Sequence, residues 1–147
     1  MGDEKRMRQL KRRHDWREYY ERAIDAIHSA PFQWGLHDCG PSLAGRMVEA
    51  MTGEDLCSHY RGTYSDALGA ARIIRDAGFS SLADMVGSFL PVGHPSEARI
   101  GDIAAIDVGG PIGHALGVVN GERIYVLTET GIGTVDLLDA AMIFKVG

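Results

Sequence analysis

The feature that most constrains the fold is a change of hydrophobic period in the middle of the chain. Before Pro91, apolar residues recur every three to four positions, which is the spacing of a helix face. After Pro95, short apolar runs are bounded by glycines, which is typical of strands and tight turns. Helices followed by strands in this order indicate an α+β domain with an antiparallel sheet. The chain has 147 residues, enough for one such domain to bury a core.

The pattern predicts four helical segments and four strands. The helices are expected at 15–29, 39–52, 65–77 and 81–89, with an irregular stretch over 54–64. The strands are expected at 102–106, 114–119, 123–128 and 142–146. Asn120-Gly121 signals a hairpin, and the glycines of 131–133 predict a further turn.

Cys39 stands where a thiol can be chemically active. Asp38 can cap the helix that follows, which places Cys39 at its first position, and Gly53 supplies the stop. The helix dipole and free N–H groups at that position favour the thiolate and lower the thiol pKa below its usual value of about 8.5. Cys39 is therefore a candidate nucleophile. The alternative is a small buried core residue, and the local pattern leaves both open.

A nucleophilic cysteine needs a base within hydrogen-bond reach. His114 begins a predicted strand directly after a glycine-rich turn, from which an imidazole can project toward a packed helix. The alternative is a structural histidine at a strand end. His37 is too close to Cys39 in sequence to face it across a helix start, and His94 lies between turn residues. His114 is therefore the candidate base.

Two separated strings of residues carry a resemblance to one known family. The first is Pro31-Phe32-x-Trp34-Gly35 followed by Asp38-Cys39, and the second is Ile100-Gly101-Asp102-Ile103 followed by the strand and hairpin from Gly113 to Gly121. Both strings, and their order, resemble the NlpC-like papain-fold cell-wall cysteine peptidases. The likeness is to the small members encoded in phage and prophage tail regions, which carry a similar Trp-Gly-x-His-Asp-Cys string.

The resemblance implies a papain-like α+β fold, with the nucleophile at a helix start packed on a C-terminal antiparallel sheet. It implies a single domain over residues 15–147 and a cysteine peptidase or amidase that hydrolyses amide bonds in peptidoglycan stem peptides. By position, Cys39 would be the nucleophile and His114 the general base, with the backbone N–H of Cys39 holding the oxyanion. Trp34 and His37 are the substrate-binding candidates. The expected partners are a peptidoglycan peptide and phage tail proteins.

In the family, a third polar residue on the next strand orients the histidine. If Asn120-Gly121 is a two-residue turn, Glu129 lies on the face of His114, and a carboxylate there can accept the imidazole N–H. We assign Glu129 as the third catalytic residue; a shifted register would select Thr128. The chain departs from the family motif at Gly40, where the family has serine.

Charge is unevenly spread along the chain. Residues 1–13 have six basic and two acidic residues, a net charge of +4, whereas the remainder has 9 basic and 18 acidic residues, a net charge of -9. We expect residues 1–14 to form a solvated basic arm. No nucleic-acid binding is expected, because the body has no basic patch and the arm lacks aromatic residues.

Neither an apolar run of membrane-spanning length nor a signal-peptide core is present. We therefore expect no membrane insertion, and a protein that is cytoplasmic at synthesis or incorporated in a phage-like tail particle. In a reducing compartment Cys39 and Cys57 are expected to be free thiols.

Two non-enzymatic hypotheses remain open beside the hydrolase. In one, the chain keeps the papain-like fold as a catalytically inactive structural or assembly component of a phage tail. In the other, His37, Cys39, Cys57 and His59 bind zinc in an interaction domain, although their spacing is unlike that of structural zinc knuckles. The hydrolase hypothesis requires no cofactor and no metal.

Overall fold

A computed structural model describes residues 10–28, 32–34, 37–128 and 130–147, which form helices followed by a sheet. Helix α1 spans Trp16–Ile27, and a π-helical segment, Cys39–Ala44, continues directly into α2, Gly45–Thr52. Helix α3 spans Ala67–Asp76 and α4 spans Leu82–Gly87. Two 3-10 turns, Pro95–Glu97 and Leu137–Asp139, lie between the strands. No helix in the described part of the chain is both long and apolar enough to cross a membrane.

The strands form one antiparallel sheet in the order β1-β6-β2-β3-β4-β5. They are β1, Val92–Gly93; β2, Ile103–Gly109; β3, Gly113–Asn120; β4, Arg123–Thr128; β5, Gly131–Asp136; and β6, Ala140–Phe144. The prediction of a mixed α+β fold with an antiparallel sheet is confirmed. Because the helices precede the sheet in the chain and pack on one of its faces, they can bring side chains from both halves together.

The main core lies between the helices and one face of the sheet. It contains buried side chains from α1, the π-helical segment and α2, such as Tyr20, Leu43 and Met47, against Leu116 and Val118 of β3. The opposite face of the sheet buries a smaller cluster, Ala104, Val119, Ile124 and Ile143. Successive residues of a strand point to opposite faces, so the even-numbered positions of β3, including His114, face the helices.

Two details of the predicted sheet are wrong. The glycines of 131–133, expected to form a turn, lie in β5, which pairs with β4 along its whole length. The hairpin turn consists of Gly121 and Glu122, because Asn120 pairs with Arg123. Gly121 takes the left-handed φ of 72°, which favours glycine at the first turn position. The change moves the register by two residues and therefore leaves the same β4 side chains on the helix face.

The prediction of a solvated basic arm is wrong at Arg12. Its side chain is 9% exposed, and its guanidinium donates to Val146 O at 2.6 Å, Ile100 O at 2.7 Å and Asp102 Oδ1 at 3.1 Å. Arg13 also joins the body of the protein, because its backbone N–H donates to Met51 O at 2.8 Å. The end of the arm therefore ties α2 to the sheet. Residues 1–9 lie outside the described part of the chain.

Candidate active site

Cys39 is the first residue of the helical segment that Asp38 caps, as predicted. Asp38 is extended, and its side chain accepts from Ser42 N at 3.4 Å. The first turn is π-helical, because Leu43 N donates to Asp38 O at 2.9 Å across five residues. The helix ends where Gly53 takes a left-handed φ of 85°. Local capping and stop signals therefore position the thiol, and π-helical turns of this kind occur frequently at functional sites.

The backbone N–H groups of Leu116 in β3 and of Cys39 itself lie near the Cys39 thiol and favour its ionised form. The divergence of β3 and β4 explains the first of these contacts. Val119 exchanges hydrogen bonds with residues 101 and 102 on the β2 side, so the N–H of Leu116 points toward β4. β4 pairs with β3 from Val118 to Asn120, and the segment Cys39–Ala44 contacts both strands.

The predicted lowering of the Cys39 pKa is wrong. Cys39 is 9% exposed, and burial raises the pKa of its thiol to about 11, with the nearby Asp38 carboxylate adding to the increase. The N–H groups of Leu116 and Cys39 favour the thiolate but do not offset the loss of hydration. The sequence prediction rested on the helix dipole, whose effect on a pKa is modest. The apolar surroundings that raise the pKa of Cys39 come from residues distant in sequence, which the local pattern does not show.

His114 lies on the same strand as Leu116 and on the same sheet face, about 7 Å further along. Its Nδ1 is buried and has no hydrogen-bond partner in the described part of the chain. No hydrogen bond joins His114 to Cys39. The two side chains line different cavities on opposite faces of α4, with Leu82, Met85 and Val86 on the Cys39 side. The two residues identified from sequence therefore both lie on the helix side of β3 and are not hydrogen-bonded to each other.

The described residues do not identify a third catalytic residue beside His114. Glu129 lies outside the described residues. Thr128, the alternative, shares the strand face of Ile124 and Val126, opposite to that of His114. Its hydroxyl donates to Gly131 O at 2.8 Å within the β4–β5 turn. Thr128 therefore stabilises the turn.

The two substrate-binding candidates, Trp34 and His37, lie on one loop but have different surroundings. Trp34 packs edge-on against Phe32 and Tyr64, with ring centroids 5.0 Å and 6.5 Å away, and lines the cavity beside Cys39. His37 pairs through its backbone with Gln33, in two hydrogen bonds of 2.7 Å, and lines neither cavity. Its Nε2 is buried without a partner in the described part of the chain. Trp34 thus lines the same cavity as Cys39, and the backbone of His37 shapes the loop.

An apolar cavity of about 100 Å³ adjoins the Cys39 thiol, and we call it the thiol cavity. Its lining includes Cys39, Val48, Cys57, Ala70, Ile73 and Leu116. The half-buried aromatic rings of Trp34, Tyr60 and Tyr64 form the side nearest the surface. The irregular stretch 54–64 thus supplies part of the wall, which its polar composition did not indicate.

Tyr64 and Asp38 form the polar edge of the thiol cavity. The Tyr64 hydroxyl donates to Asp38 Oδ2, and Asp38 is 1% exposed. Burial and the carboxylate both raise the pKa of Tyr64, so it remains a neutral donor. This contact joins the residue that caps the π-helical segment to the chain before α3, and no local sequence signal indicates it.

Cys39 and Cys57 are both free thiols, as expected. Burial also raises the pKa of Cys57 to about 11. Across the described ranges, no three histidine, cysteine or acidic side chains are grouped closely enough to hold a metal ion. The zinc hypothesis therefore receives no support from the positions of Cys39, Cys57 and the described histidines.

Comparison with known proteins places the chain in a family. No curated protein matches it. A family model described as "Domain of unknown function (DUF6950)" matches residues 11–146, which include every helix and strand described above. The match covers the Asp38-Cys39 helix start, the thiol cavity and the His114 strand within one unit. This chain therefore belongs to the family of the domain of unknown function DUF6950.

Proposed function

We propose that this protein is a cysteine hydrolase of the peptidase or amidase type, with Cys39 as nucleophile and His114 as general base. The observation that carries the proposal is the position of the Cys39 thiol over β3. It lies at the start of a capped helix and near the N–H of Leu116, which is two strand positions from His114. The Nδ1 of His114 is buried without a partner in the described part of the chain. A papain-like architecture is part of the same proposal.

In the proposed reaction, the Cys39 sulfur attacks the carbonyl carbon of the substrate and His114 accepts the thiol proton. The oxyanion accepts from backbone N–H groups at the helix start, of which that of Cys39 is the nearest. The protonated histidine then gives its proton to the leaving amine as the C–N bond breaks, which leaves a thioester on Cys39. Water hydrolyses the thioester and regenerates the thiol.

The proton transfer must accompany the attack, because the resting thiol is neutral. With a pKa of about 11, roughly one Cys39 in 10⁴ is ionised at pH 7. Since His114 and Cys39 line different cavities, substrate binding must bring the imidazole within hydrogen-bond distance of the sulfur. Catalytic hydrogen bonds frequently shorten only in the substrate complex.

The substrate in this proposal is a peptidoglycan stem peptide, and the setting is a phage or prophage tail. Both come from the resemblance of the Cys39 and His114 strings to NlpC-like peptidases. The hydrolase chemistry has the independent support of the site geometry, whereas the cell-wall substrate depends on the resemblance. The two parts of the proposal are therefore tested separately.

A second candidate is a catalytically inactive papain-fold component of a tail. One observation favours it: Cys39 is a buried thiol with a raised pKa and no hydrogen bond to His114. These are properties of a core cysteine, which sequence analysis left open. The two candidates differ in what they predict for the reactivity of Cys39.

Alkylation of Cys39 by iodoacetamide from pH 6 to pH 11 tests the hydrolase, with Cys57→Ser removing the second thiol. If His114 acts on the thiol, His114→Ala slows alkylation at neutral pH at least severalfold. His59→Ala is the matched control, because His59 is an exposed histidine near Cys57. Alkylation that follows one high pKa and is unchanged by His114→Ala would favour the inactive component.

Peptidoglycan fragments test the substrate. Mass spectrometry of muropeptides incubated with the parent protein should show cleaved stem peptides, and Cys39→Ala and His114→Ala should show none. Activity of the parent on simple amides or thioesters without muropeptide cleavage would retain the hydrolase and reject the cell-wall substrate.

A further inference from the structure

The walls of the thiol cavity restrict what can bind next to Cys39. Among the described residues that line it there is no lysine, arginine, histidine or glutamate. Asp38 is the one carboxylate, and it accepts from the Tyr64 hydroxyl and from Ser42 N. An anionic group placed in this cavity would lose its hydration without gaining an opposite charge, which is strongly unfavourable, and the carboxylate that a cationic group would meet, that of Asp38, already accepts two hydrogen bonds. The cavity is therefore suited to an apolar occupant.

Its size limits the length of that occupant. An apolar cavity of about 150 Å³ holds a benzene molecule, and a carbon group takes about the volume of a water molecule, ~30 Å³. The thiol cavity, at about 100 Å³, therefore has room for three or four carbons. Ile73 and Ala70 of α3 and Leu116 of β3 are part of its wall, so a chain too long for this volume would have to displace side chains of that wall.

We propose that the thiol cavity is an acyl-side specificity pocket that binds a short aliphatic group of about four carbons. This inference rests on the proposed hydrolase and names its substrate class. The residue or acyl group whose carbonyl Cys39 attacks carries an uncharged aliphatic chain. Substrates with a negatively charged side chain at that position are excluded by the apolar wall, which has no cationic residue among its described members.

Alkyl methanethiosulfonates measure this preference without requiring hydrolysis. The Cys39 sulfur attacks the sulfenyl sulfur, a disulfide forms, methanesulfinate leaves and the thiol proton passes to the buffer. The attached alkyl group must then lie beside the sulfur, where the cavity is. Peptide mass spectrometry follows Cys39 separately from Cys57 in the full unmodified chain. Each rate is divided by that of N-acetylcysteine with the same reagent, which removes differences in intrinsic reactivity.

Burial of one methylene favours binding by about fourfold, so three additional methylenes set an upper limit of about 60-fold. We expect the butyl reagent to modify Cys39 at least tenfold faster than the methyl reagent, relative to N-acetylcysteine. We expect the 2-carboxyethyl reagent, which is of similar length, to be slower than butyl by a further tenfold or more. A butyl-to-methyl ratio within twofold of that of N-acetylcysteine, or a carboxyethyl rate equal to the butyl rate, would overturn the proposal.

Two variants on α3 test whether the alkyl chain-length preference arises from the wall of the thiol cavity. Ile73→Ala removes carbons from the cavity wall and should raise the hexyl-to-butyl ratio at Cys39 at least threefold. Leu68→Ala is the matched control, because Leu68 lies on the same helix, is 66% exposed and does not line the cavity. Equal ratios in the two variants would overturn the proposal. The parent reagent series decides the question by itself if Ile73→Ala does not fold.

The outcomes distinguish this inference from the proposed function. A strong preference for the butyl reagent without amide hydrolysis would support the apolar pocket and contradict the proposed hydrolase. Amide hydrolysis without a preference for longer alkyl reagents would support the proposed hydrolase and contradict the apolar pocket. If both hold, the same chain-length series in amide substrates should give parallel ratios of kcat/KM.

Discussion

The buried carboxylate of Asp102 should be the most sensitive single position for stability. Asp102 has no exposed surface and accepts four hydrogen bonds from well-separated parts of the chain. Its oxygens accept from Arg12 Nη2 at 3.1 Å, Lys145 Nζ at 2.7 Å, Arg99 N at 2.9 Å and Val146 N at 3.0 Å. The contacts join the chain before α1, the start of β2 and the chain after β6.

Asp102→Asn preserves the shape of the side chain and removes its charge. The Arg12 guanidinium is 9% exposed and would remain in the protein without its counter-charge. Removing one partner of a buried ion pair destabilises a protein by about 3–5 kcal/mol. Because the Lys145 side chain is 27% exposed and can rehydrate, we expect the lower part of this range, about 3 kcal/mol. For a chain of this length that lowers Tm by about 6–12 °C.

Urea unfolding followed by circular dichroism at pH 7 measures the loss. Asp55→Asn is the matched control, because Asp55 also pairs with an arginine, Arg61, at 2.9 Å, but its side chain is 24% exposed. An accessible pair of this kind contributes about 0.2–1 kcal/mol. Equal losses for the two variants, or a loss below about 1 kcal/mol for Asp102→Asn, would refute the argument that burial sets the magnitude.

Two further predictions concern the thiols and the β3–β4 divergence. Because burial raises the pKa of Cys39 and Cys57 to about 11, while an unfolded thiol ionises near pH 8.5, their stabilisation is complete below pH 8.5 and decreases as pH rises toward 11. Urea unfolding at pH 8 and pH 10 should show a loss of roughly 2 kcal/mol per thiol that is absent when both are replaced by alanine. At Gly117, an added Cβ would lie 2.7 Å from Tyr125 O, whereas at Gly40 it would meet nothing within 4 Å. Gly117→Ala should therefore lower the unfolding free energy by at least about 2 kcal/mol and Gly40→Ala by less than about 1 kcal/mol, and equal effects would show that β3 and β4 can separate freely.

Local chemistry explains which elements were predictable. The Cys39 helix was predicted with its cap and its stop, because Asp38 and Gly53 act on their own neighbours in sequence. The glycine-rich β5 was missed for the opposite reason. Glycine has little preference for strand structure, and β5 is a strand because it has a continuous backbone ladder with β4. A glycine pattern alone cannot distinguish this from a turn.

The site was predictable in its residues and less so in its electrostatics. Cys39 and His114 were identified from a helix start and a strand start, and the fold places both on the helix side of β3. The pKa of the Cys39 thiol was predicted in the wrong direction, since its cause is burial by α3, α4 and the sheet. Arg12 was expected in solvent for a similar reason: its partner Asp102 is 90 residues away.

A neutral buried thiol leaves two routes to a reactive sulfur, and they differ in pH dependence. If substrate binding rehydrates Cys39, kcat/KM should rise tenfold per pH unit toward about pH 11 and be indifferent to His114→Ala. If His114 moves onto the thiol, kcat/KM should not follow the thiol pKa alone, and His114→Ala should lower it. A buried polar atom without a partner destabilises the folded state by about 1–3 kcal/mol. A hydrogen bond from Cys39 Sγ to the Nδ1 of His114 would recover that free energy, so the structure favours the second route.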